Sequence, residues 1–137
     1  MTRTALLLTG LLAGVLAPLA HAQTPADMLA AFERDARKAD PAFKGFSAAR
    51  GEVFFRSTHG AQWSCASCHT DAPVQAGRHA RTGKTISPLA PAADAVRFTD
   101  PAKVEKWFKR NCNDVAGRSC TLTEKGDVLT WLNSLHP

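Results

Sequence analysis

Cys65, Cys68 and His69 form the pattern with the clearest chemistry in this sequence: two cysteines separated by two residues and followed directly by a histidine. Thiols at this spacing lie on the same side of one turn, where they can add to the two vinyl groups of a haem as thioethers. His69 is then placed under the iron, where an imidazole nitrogen can ligate it. The pattern therefore predicts covalent attachment of one haem c.

Two other kinds of site use a cysteine pair at this spacing, and the rest of the chain disfavours both. A thioredoxin-type redox pair lies between a strand and a helix of an α/β pattern, which this sequence lacks. A four-cysteine zinc site needs a second close pair, whereas Cys112 and Cys120 are eight positions apart. Those two are the only cysteines left for a conventional disulfide.

The iron's other face needs a separate ligand, and the methionine that small electron-transfer cytochromes usually place there is missing. The only methionines are Met1 and Met28, and both precede the haem motif, so a His/Met site in the usual order is excluded. The remaining candidates are a lysine, an amide or one of three histidines that are more typical of a surface, His59, His79 and His136. By likeness to related cytochromes, in which a proline does this, the carbonyl of Pro88 or Pro91 is expected to accept a hydrogen bond from the other ring nitrogen of His69. The alternative is that these prolines only shape a rigid turn.

Asn111 is the innermost polar residue on a predicted amphipathic helix that begins at Asp100 and Pro101. An inward face follows the helical repeat through Val104, Trp107, Phe108 and Asn111. A different, solvated side carries Lys103, Lys106 and Lys109. The ordinary role of such an asparagine is a helix C-cap, for which Asn113 competes. The pattern alone leaves the ligand role and the capping role open.

Three further helices are predicted around these residues. The first begins at Thr24 and ends before Pro41, and the second runs from Ser47 to about Arg56 with Gly51 permitting close approach of another helix. The second helix is expected to bury Val53, Phe54 and Phe55. The last begins with the capping box 121–124 and has an apolar stripe of Val128, Trp131, Leu132 and Leu135. Residues 71–98 are predicted to form a long loop that wraps a cofactor. No segment predicts a confident strand, so the fold class is all-α.

The first 22 residues are typical of a cleaved signal peptide rather than of the mature fold. Arg3 precedes an apolar run over 5–19 that is broken by glycines and a proline, and Ala20-His21-Ala22 has the small-x-small pattern of a cleavage site. The run is too short and too interrupted for a membrane anchor. We therefore predict cleavage after Ala22, export to the periplasm and a mature domain over 23–137, which suits c-type haem attachment outside the bacterial cytoplasm.

The charge of the mature domain argues against nucleic-acid binding. The whole chain of 137 residues has 17 Lys and Arg and 12 Asp and Glu, and only Arg3 lies in the leader, which leaves a net charge of +4. This excess is spread along the chain without a long basic run. An acidic protein partner and an ordinary solvated surface both remain compatible with it.

Several segments are similar to the sphaeroides haem protein (SHP) family, a class I-like group of cytochromes c. They are Arg81-Thr82-Gly83-Lys84, Ile86-Ser87-Pro88-Leu89-Ala90-Pro91, Arg97-Phe98-Thr99-Asp100, Val104-Glu105-Lys106-Trp107 and Arg110-Asn111-Cys112-Asn113, with Cys120 beyond. The resemblance covers about residues 45–135. It implies a class I cytochrome c-like fold, Asn111 as an axial ligand of the oxidised haem, and a disulfide between Cys112 and Cys120.

The resemblance also implies a function that the chemistry of an amide fits. An amide oxygen is a hard, neutral and weak donor, so it suits ferric iron better than ferrous iron. Reduction is expected to release Asn111, after which the ferrous haem binds O₂, NO or CO. The electrons are expected from a partner cytochrome, a dihaem cytochrome c in this family, and reduction of O₂ or a nitrogen oxide is a further hypothesis. The alternative is a simple electron carrier that stays six-coordinate through one of the three histidines.

Overall fold

Five helices and one very short hairpin make up the part of the chain that the computed structural model describes, residues 23–136. The helices are α1 (Pro25–Ala39), α2 (Ala48–Arg56), α3 (Ala66–His69), α4 (Pro101–Ala116) and α5 (Leu122–Ser134). The antiparallel hairpin pairs β1 (Gly77–Arg78) with β2 (Thr85–Ile86). The all-α prediction is confirmed, apart from this two-residue ladder. The predicted leader and its cleavage site lie outside the described residues, in which no helix is long and apolar enough to cross a membrane.

The four long helices begin where capping side chains stand in the sequence. Thr24 and Thr121 each form a capping box with an acidic residue three positions later. Ser47 and Asp100 each accept a hydrogen bond from the backbone N–H three residues on. These starts confirm the four predicted helices, because a cap is a local signal that tertiary packing did not override.

Helix α2 packs against α5 at unusually short range through Gly51. A Cβ at this position would lie 2.0 Å from the carbonyl oxygen of Asp127, so only glycine permits the approach. One turn later Phe55 is 1% exposed and packs on Val128, Trp131 and Leu132. The prediction that Gly51 allows close approach of another helix is confirmed.

The expectation that Val53 is buried is wrong. This side chain is 67% exposed, and its neighbour Phe54 is only partly buried. The reason is geometric: Gly51 and Phe55 are four residues apart and share the face toward α5, whereas a residue two positions from each points away from it. A helix of nine residues with one packed face leaves Val53 in solvent.

A second apolar cluster joins the first helix to the two last ones. Met28 and Phe32 of α1 are 3% and 4% exposed and pack with Val104 of α4 and Leu129 of α5. The ring of Phe108 meets that of Phe32 edge-on at 6.1 Å between centroids. This cluster fixes the direction of α4, the helix that carries Asn111.

The segment between α3 and α4 folds back over the Cys-His turn. The carbonyl of Pro73 accepts hydrogen bonds from the N–H groups of Leu89 and Ala90, at 2.8 and 3.0 Å. At the start of the hairpin, a Cβ on Gly77 would lie 2.0 Å from the carbonyl oxygen of Cys68. The predicted long loop is therefore a compact cover held on the residues that bear the chemistry.

Candidate haem site

A cavity of about 390 Å³ lies between the Cys-His turn, the hairpin and α4. Four residues that the sequence singled out line it: Cys65, Cys68, His69 and Asn111. The first three belong to α3 and its N-cap, and the last comes from a helix far along the chain. The fold thus brings the Cys-His motif and Asn111 together in one cavity.

The Cys-His turn is held by hydrogen bonds within itself. The N–H of His69 donates to the carbonyl of Cys65 at 3.0 Å. Ser64 and Ser67 exchange backbone-to-hydroxyl hydrogen bonds at 3.0 and 3.2 Å, which fixes the turn before the second cysteine. Both thiols are free, so they are available for a covalent bond to a cofactor.

Burial keeps the thiol of Cys65 neutral. Desolvation raises its pKa from 9.0 to about 11. A redox-active pair of the thioredoxin type depends on a lowered thiol pKa, which an electropositive setting supplies. The environment of Cys65 acts in the opposite direction, and it suits a residue that ends in a buried thioether.

His69 is a neutral imidazole in this site. Burial, with a smaller contribution from the positive charge of Arg97, lowers its pKa from 6.5 to about 4. Its Nδ1 is buried and has no hydrogen-bond partner among residues 23–136, so the expected bond to the carbonyl of Pro88 or Pro91 is absent there. The carbonyl of Pro88 accepts instead from Nε of Arg97 at 2.8 Å. A neutral ring is the form that ligates a metal, and His69 meets that condition.

Asn111 is not a helix cap. Helix α4 runs past both Asn111 and Asn113 and ends at Gly117, whose φ of 66° is the left-handed conformation typical of a C-terminal glycine. Asn113 donates from its side chain to the carbonyl of Lys109 at 2.7 Å. Asn111 is half-buried on the cavity side, and its side chain makes no hydrogen bond to any other described residue. The capping interpretation is therefore wrong, and the amide is available to a ligand in the cavity.

Of the three histidines considered as alternative ligands, one lines the cavity. His59 is exposed, lies 2.9 Å from the carbonyl of Phe54 through Nε2, and is not part of the lining. His136 is exposed beyond the end of α5. His79 lines the cavity, where its Nδ1 accepts from the N–H groups of Arg81 and Thr82 at 3.2 and 3.3 Å.

Trp107 lines the cavity, as expected from its place on the inward face of its helix. The structure adds lining residues that the helical and motif patterns did not identify, namely Trp63 with Arg81, the Arg110 that lies over Trp107, and Asp114. Asp114 lies one turn after Asn111 on the same face of α4, so its spacing was a usable signal. Arg81 comes from the hairpin, and its place over Trp63 follows from the fold of a segment with little periodicity.

A disulfide joins Cys112 to Cys120, as predicted. The two Cα atoms are 5.6 Å apart, and both side chains are buried, at 4% and 8% exposure. Cys112 directly follows Asn111, and Cys120 directly precedes Thr121, the N-cap of α5. The bond therefore ties the end of the helix that carries Asn111 to the start of the next one.

Comparison with known proteins places this arrangement among small cytochromes. The sequence family described as a domain of unknown function, DUF1924, matches residues 41–132. The cytochrome c-type protein SHP of Cereibacter sphaeroides is 46% identical over 136 residues, which are 96% of this chain and 98% of that protein. Cytochrome c'' of Methylophilus methylotrophus is 40% identical over 101 residues, 71% of this chain and 70% of that protein.

Solved structures agree with the sequence matches. Oxidised SHP, an oxygen-binding cytochrome c, superposes with a TM-score of 0.71 at 44% identity, over 84% of this chain and 100% of that one. Oxidised cytochrome c'' from Methylophilus methylotrophus gives a TM-score of 0.70 at 35% identity, over 80% and 93%. A cavity lined by two free cysteines and a neutral histidine fits the group that these proteins carry. The chain belongs to the SHP family of monohaem c-type cytochromes, with one covalently bound haem c.

Proposed function

We propose that the haem is attached by thioethers to Cys65 and Cys68, and that His69 and Asn111 are its axial ligands in the oxidised protein. The observation that carries this proposal is the position of Asn111: its amide lies on the lining of the cavity that also holds the Cys-His turn. It is neither a helix cap nor tied to another described side chain. Its amide is therefore available to bind a group placed in the cavity.

The second part of the proposal is that Asn111 leaves on reduction and that a diatomic molecule takes its position. The haem supplies an iron that changes between the ferric and ferrous states. The amide oxygen of Asn111 is a neutral, hard donor, and its bond weakens when the metal becomes softer. Two relatives support this proposal: SHP is an oxygen-binding cytochrome c, and a solution structure of cytochrome c'' concerns haem-ligand detachment. O₂, NO and CO are the ligands we propose.

The electrons for this reduction are proposed to come from a partner cytochrome in the periplasm, a dihaem cytochrome c being the partner expected in the family. Asp114 and Arg110 give the cavity lining an acid–base group and a positive charge. Such groups are what a reductase of O₂ or of a nitrogen oxide would need beside its ligand. Catalytic turnover is therefore a hypothesis that assigns these roles to Asp114 and Arg110. The proposal of gas binding does not depend on it.

A second candidate function rests on His79. This histidine lines the cavity, and its Nδ1 already accepts from two backbone N–H groups, which leaves Nε2 as its other ligating atom. If His79 rather than Asn111 were the sixth ligand, the protein would be a simple six-coordinate electron carrier. The two functions differ in what the reduced protein does with CO.

Visible spectra of the oxidised and the dithionite-reduced holoprotein, with and without CO, test the proposal. We expect a ferrous high-spin spectrum that CO converts to a low-spin one. We expect the oxidised Asn111→Ala variant to lose the parent's ferric spectrum, whereas Asn113→Ala, the matched amide on the solvent side, retains it. A reduced low-spin spectrum that CO does not change would overturn gas binding. A changed ferric spectrum in His79→Ala, with Asn111→Ala unchanged, would assign the ligand to His79.

A further inference from the structure

The hairpin and its turn, residues 77–86, carry an isolated group of positive charges, which we call the cationic hairpin. Its three cations are Arg78, Arg81 and Lys84, and all three side chains are exposed. The nearest carboxylates along the chain are Asp71 and Asp94, so residues 72–93 contain no acidic residue. This is a local excess of charge in a domain whose overall excess is small.

None of these three cations forms an ion pair with another residue in the described range 23–136. Seven of the thirteen cations elsewhere in this range have a carboxylate partner within 4 Å, namely Arg37, Arg50, Arg56, Arg97, Arg118, Lys103 and Lys125. The other six in this range, which are Arg34, Lys38, Lys44, Lys106, Lys109 and Arg110, are unpaired but do not form such a cluster in one short turn. No carboxylate of the described residues therefore neutralises the three hairpin cations at contact distance, and Asp114 is the acidic residue on the cavity lining that they border. A patch of unpaired charges attracts an oppositely charged protein and increases its rate of encounter.

The cationic hairpin lies directly on the cysteine that we assign to the haem. The N–H of Ala80 donates to Sγ of Cys68 at 3.3 Å, and Gly77 touches the carbonyl of the same cysteine. The guanidinium of Arg81 lies 5.2 Å from the ring centre of Trp63, on the cavity lining. A protein bound to these residues is therefore bound beside the attached edge of the cofactor.

A fourth cation borders the same cavity from the opposite element. Arg110 of α4 is exposed, lies over the ring of Trp107 at 5.5 Å, and has no carboxylate partner in the described part of the chain. Arginine is enriched at protein interfaces. The lysine side of α4 is less suited, because its Lys103 is paired with Asp100 and none of its lysines lines the cavity.

We propose that the cationic hairpin, with Arg110, is the docking surface for an acidic redox protein that delivers electrons to the haem. This proposal deepens the proposed function, because it rests on a haem attached at Cys68. The step transfers one electron: the partner is oxidised by one electron and the ferric haem becomes ferrous. The step transfers no proton and forms no covalent bond. Charge complementarity selects the occupant, since four unpaired cations bind a carboxylate-rich surface and repel a basic one.

The test is stopped-flow reduction of the oxidised holoprotein by reduced flavodoxin, used as an acidic protein donor. Arg78→Glu with Lys84→Glu reverses two charges of the hairpin without changing a cavity-lining residue. Arg34→Glu with Lys44→Glu is the matched control, because these two are exposed, unpaired in the described range and absent from the lining. Both double variants change the net charge equally. We expect the hairpin variant to lose about tenfold or more in second-order rate constant at low ionic strength, and the control less than about twofold.

Three measurements decide the result. The difference should vanish near 0.5 M salt, because screening removes an encounter effect but not damage to the haem site. The neutral variant Arg78→Gln with Lys84→Gln should lie between the parent and the reversed variant. Reduction by hexaammineruthenium(II), a small cation, should be no slower in the reversed variant than in the parent. Equal losses in the hairpin and control variants, or a loss that persists at high salt, would overturn the docking surface.

The docking result is separable from the proposed function. Flavodoxin kinetics require only a reducible haem, so they report on docking even in a protein that stays six-coordinate. The CO spectra report on Asn111 and do not involve the hairpin. A haem attached at Cys68 that fails to bind CO but keeps the hairpin's salt-dependent effect would refute gas binding and retain the docking surface.

Discussion

The guanidinium of Arg50 donates to both carboxylate oxygens of Asp127, at 2.7 and 2.8 Å, across the contact between α2 and α5. The Asp127 side chain is 5% exposed, whereas that of Arg50 is 55% exposed. Oδ1 of Asp127 also accepts from the N–H of Ser47, the N-cap of α2, at 2.6 Å. One buried carboxylate therefore fixes the start of α2, at the end of that helix away from the cavity lining.

Asp127→Ala is expected to lower the free energy of unfolding by about 2 kcal/mol. The loss comes mainly from the N–H of Ser47, which is left without an acceptor. The guanidinium of Arg50 contributes less, because it is exposed and water replaces its hydrogen bonds to Asp127. Denaturant unfolding of the oxidised holoprotein, followed by far-UV circular dichroism, measures it. The control is Glu33→Ala, which removes the exposed pair with Arg37 and should cost less than about 0.5 kcal/mol. Equal losses in the two variants would contradict a special role for Asp127.

Gly51→Ala is expected to destabilise the protein by about 3 kcal/mol or more, because the added methyl meets backbone rather than a movable side chain. The atoms in its way are the carbonyl group of Asp127 and the N–H nitrogen of Val128, so the helices have to separate. Gly60→Ala is the control. Its Cβ meets nothing within 4 Å, but the positive φ of 83° adds strain of about 1 kcal/mol. Thermal unfolding of both variants should give the lower Tm for Gly51→Ala.

Local signals made much of the fold and site predictable. Helix starts could be found because a capping side chain acts within three residues of itself, as Thr24 and Asp100 do. The haem motif could be found because its chemistry depends on neighbours in one turn. The role of Asn111 was harder to predict, because the helical repeat placed it on the inward face but could not distinguish a ligand from a helix cap. That choice depends on where α4 ends, and Gly117 decides it.

Features that depend on distant parts of the chain could not be predicted in the same way. Val53 was expected inside because three apolar residues stand together, yet a helix with one packed face excludes one of them. The cationic hairpin is only two residue pairs long, and it is held by Cys68 rather than by strand propensity. The contact of Arg81 with Trp63 arises because the segment between α3 and α4 folds back over the Cys-His turn. No periodic pattern in the sequence of this segment predicts it.

Glu124→Gln tests a pH-dependent contribution to stability. Hydrogen bonds from Arg118, at 2.6 and 2.8 Å, are the main cause that lowers the pKa of Glu124 from 4.5 to about 2. A lowered folded-state pKa stabilises the protein above the unfolded pKa, and this stabilisation disappears as the pH falls from about 4.5 to about 2. The parent should exceed the variant by about 1 kcal/mol at pH 7, a value kept small because Arg118 is half exposed.

The difference between parent and Glu124→Gln should stay constant from pH 7 to about 5 and approach zero near pH 2. Urea unfolding at a series of pH values measures it. Glutamine keeps one acceptor oxygen for the N–H of Thr121 but removes the charge and one acceptor for Arg118. Glu52→Gln is the control, because its pair with Arg56 is 44% exposed on each side and should contribute less than about 0.5 kcal/mol. A difference that grows in acid would contradict the assigned direction of the pKa shift.

Cys112→Ala with Cys120→Ala tests whether the disulfide serves the haem site as well as the fold. Closing so short a loop contributes about 2–3 kcal/mol in the chain-entropy model, so unfolding should become easier by that amount. The bond also holds the last turns of α4 next to Asn111. If Asn111 is the ligand, a loosened helix end should lower the occupancy of this weak ligand and shift the ferric spectrum toward that of Asn111→Ala.

Stability and spectrum separate the two roles of this disulfide. The ferric spectrum is measured at a denaturant concentration where the variant is fully folded. If stability falls and this spectrum is unchanged, the disulfide stabilises the fold without positioning Asn111. Asp127→Ala provides a comparison variant, because it costs similar stability at the α2–α5 contact and does not touch α4. We expect its ferric spectrum to match the parent's, since loss of stability alone should not displace Asn111. A spectral change confined to the cysteine variant would therefore assign the disulfide a positioning role at the iron.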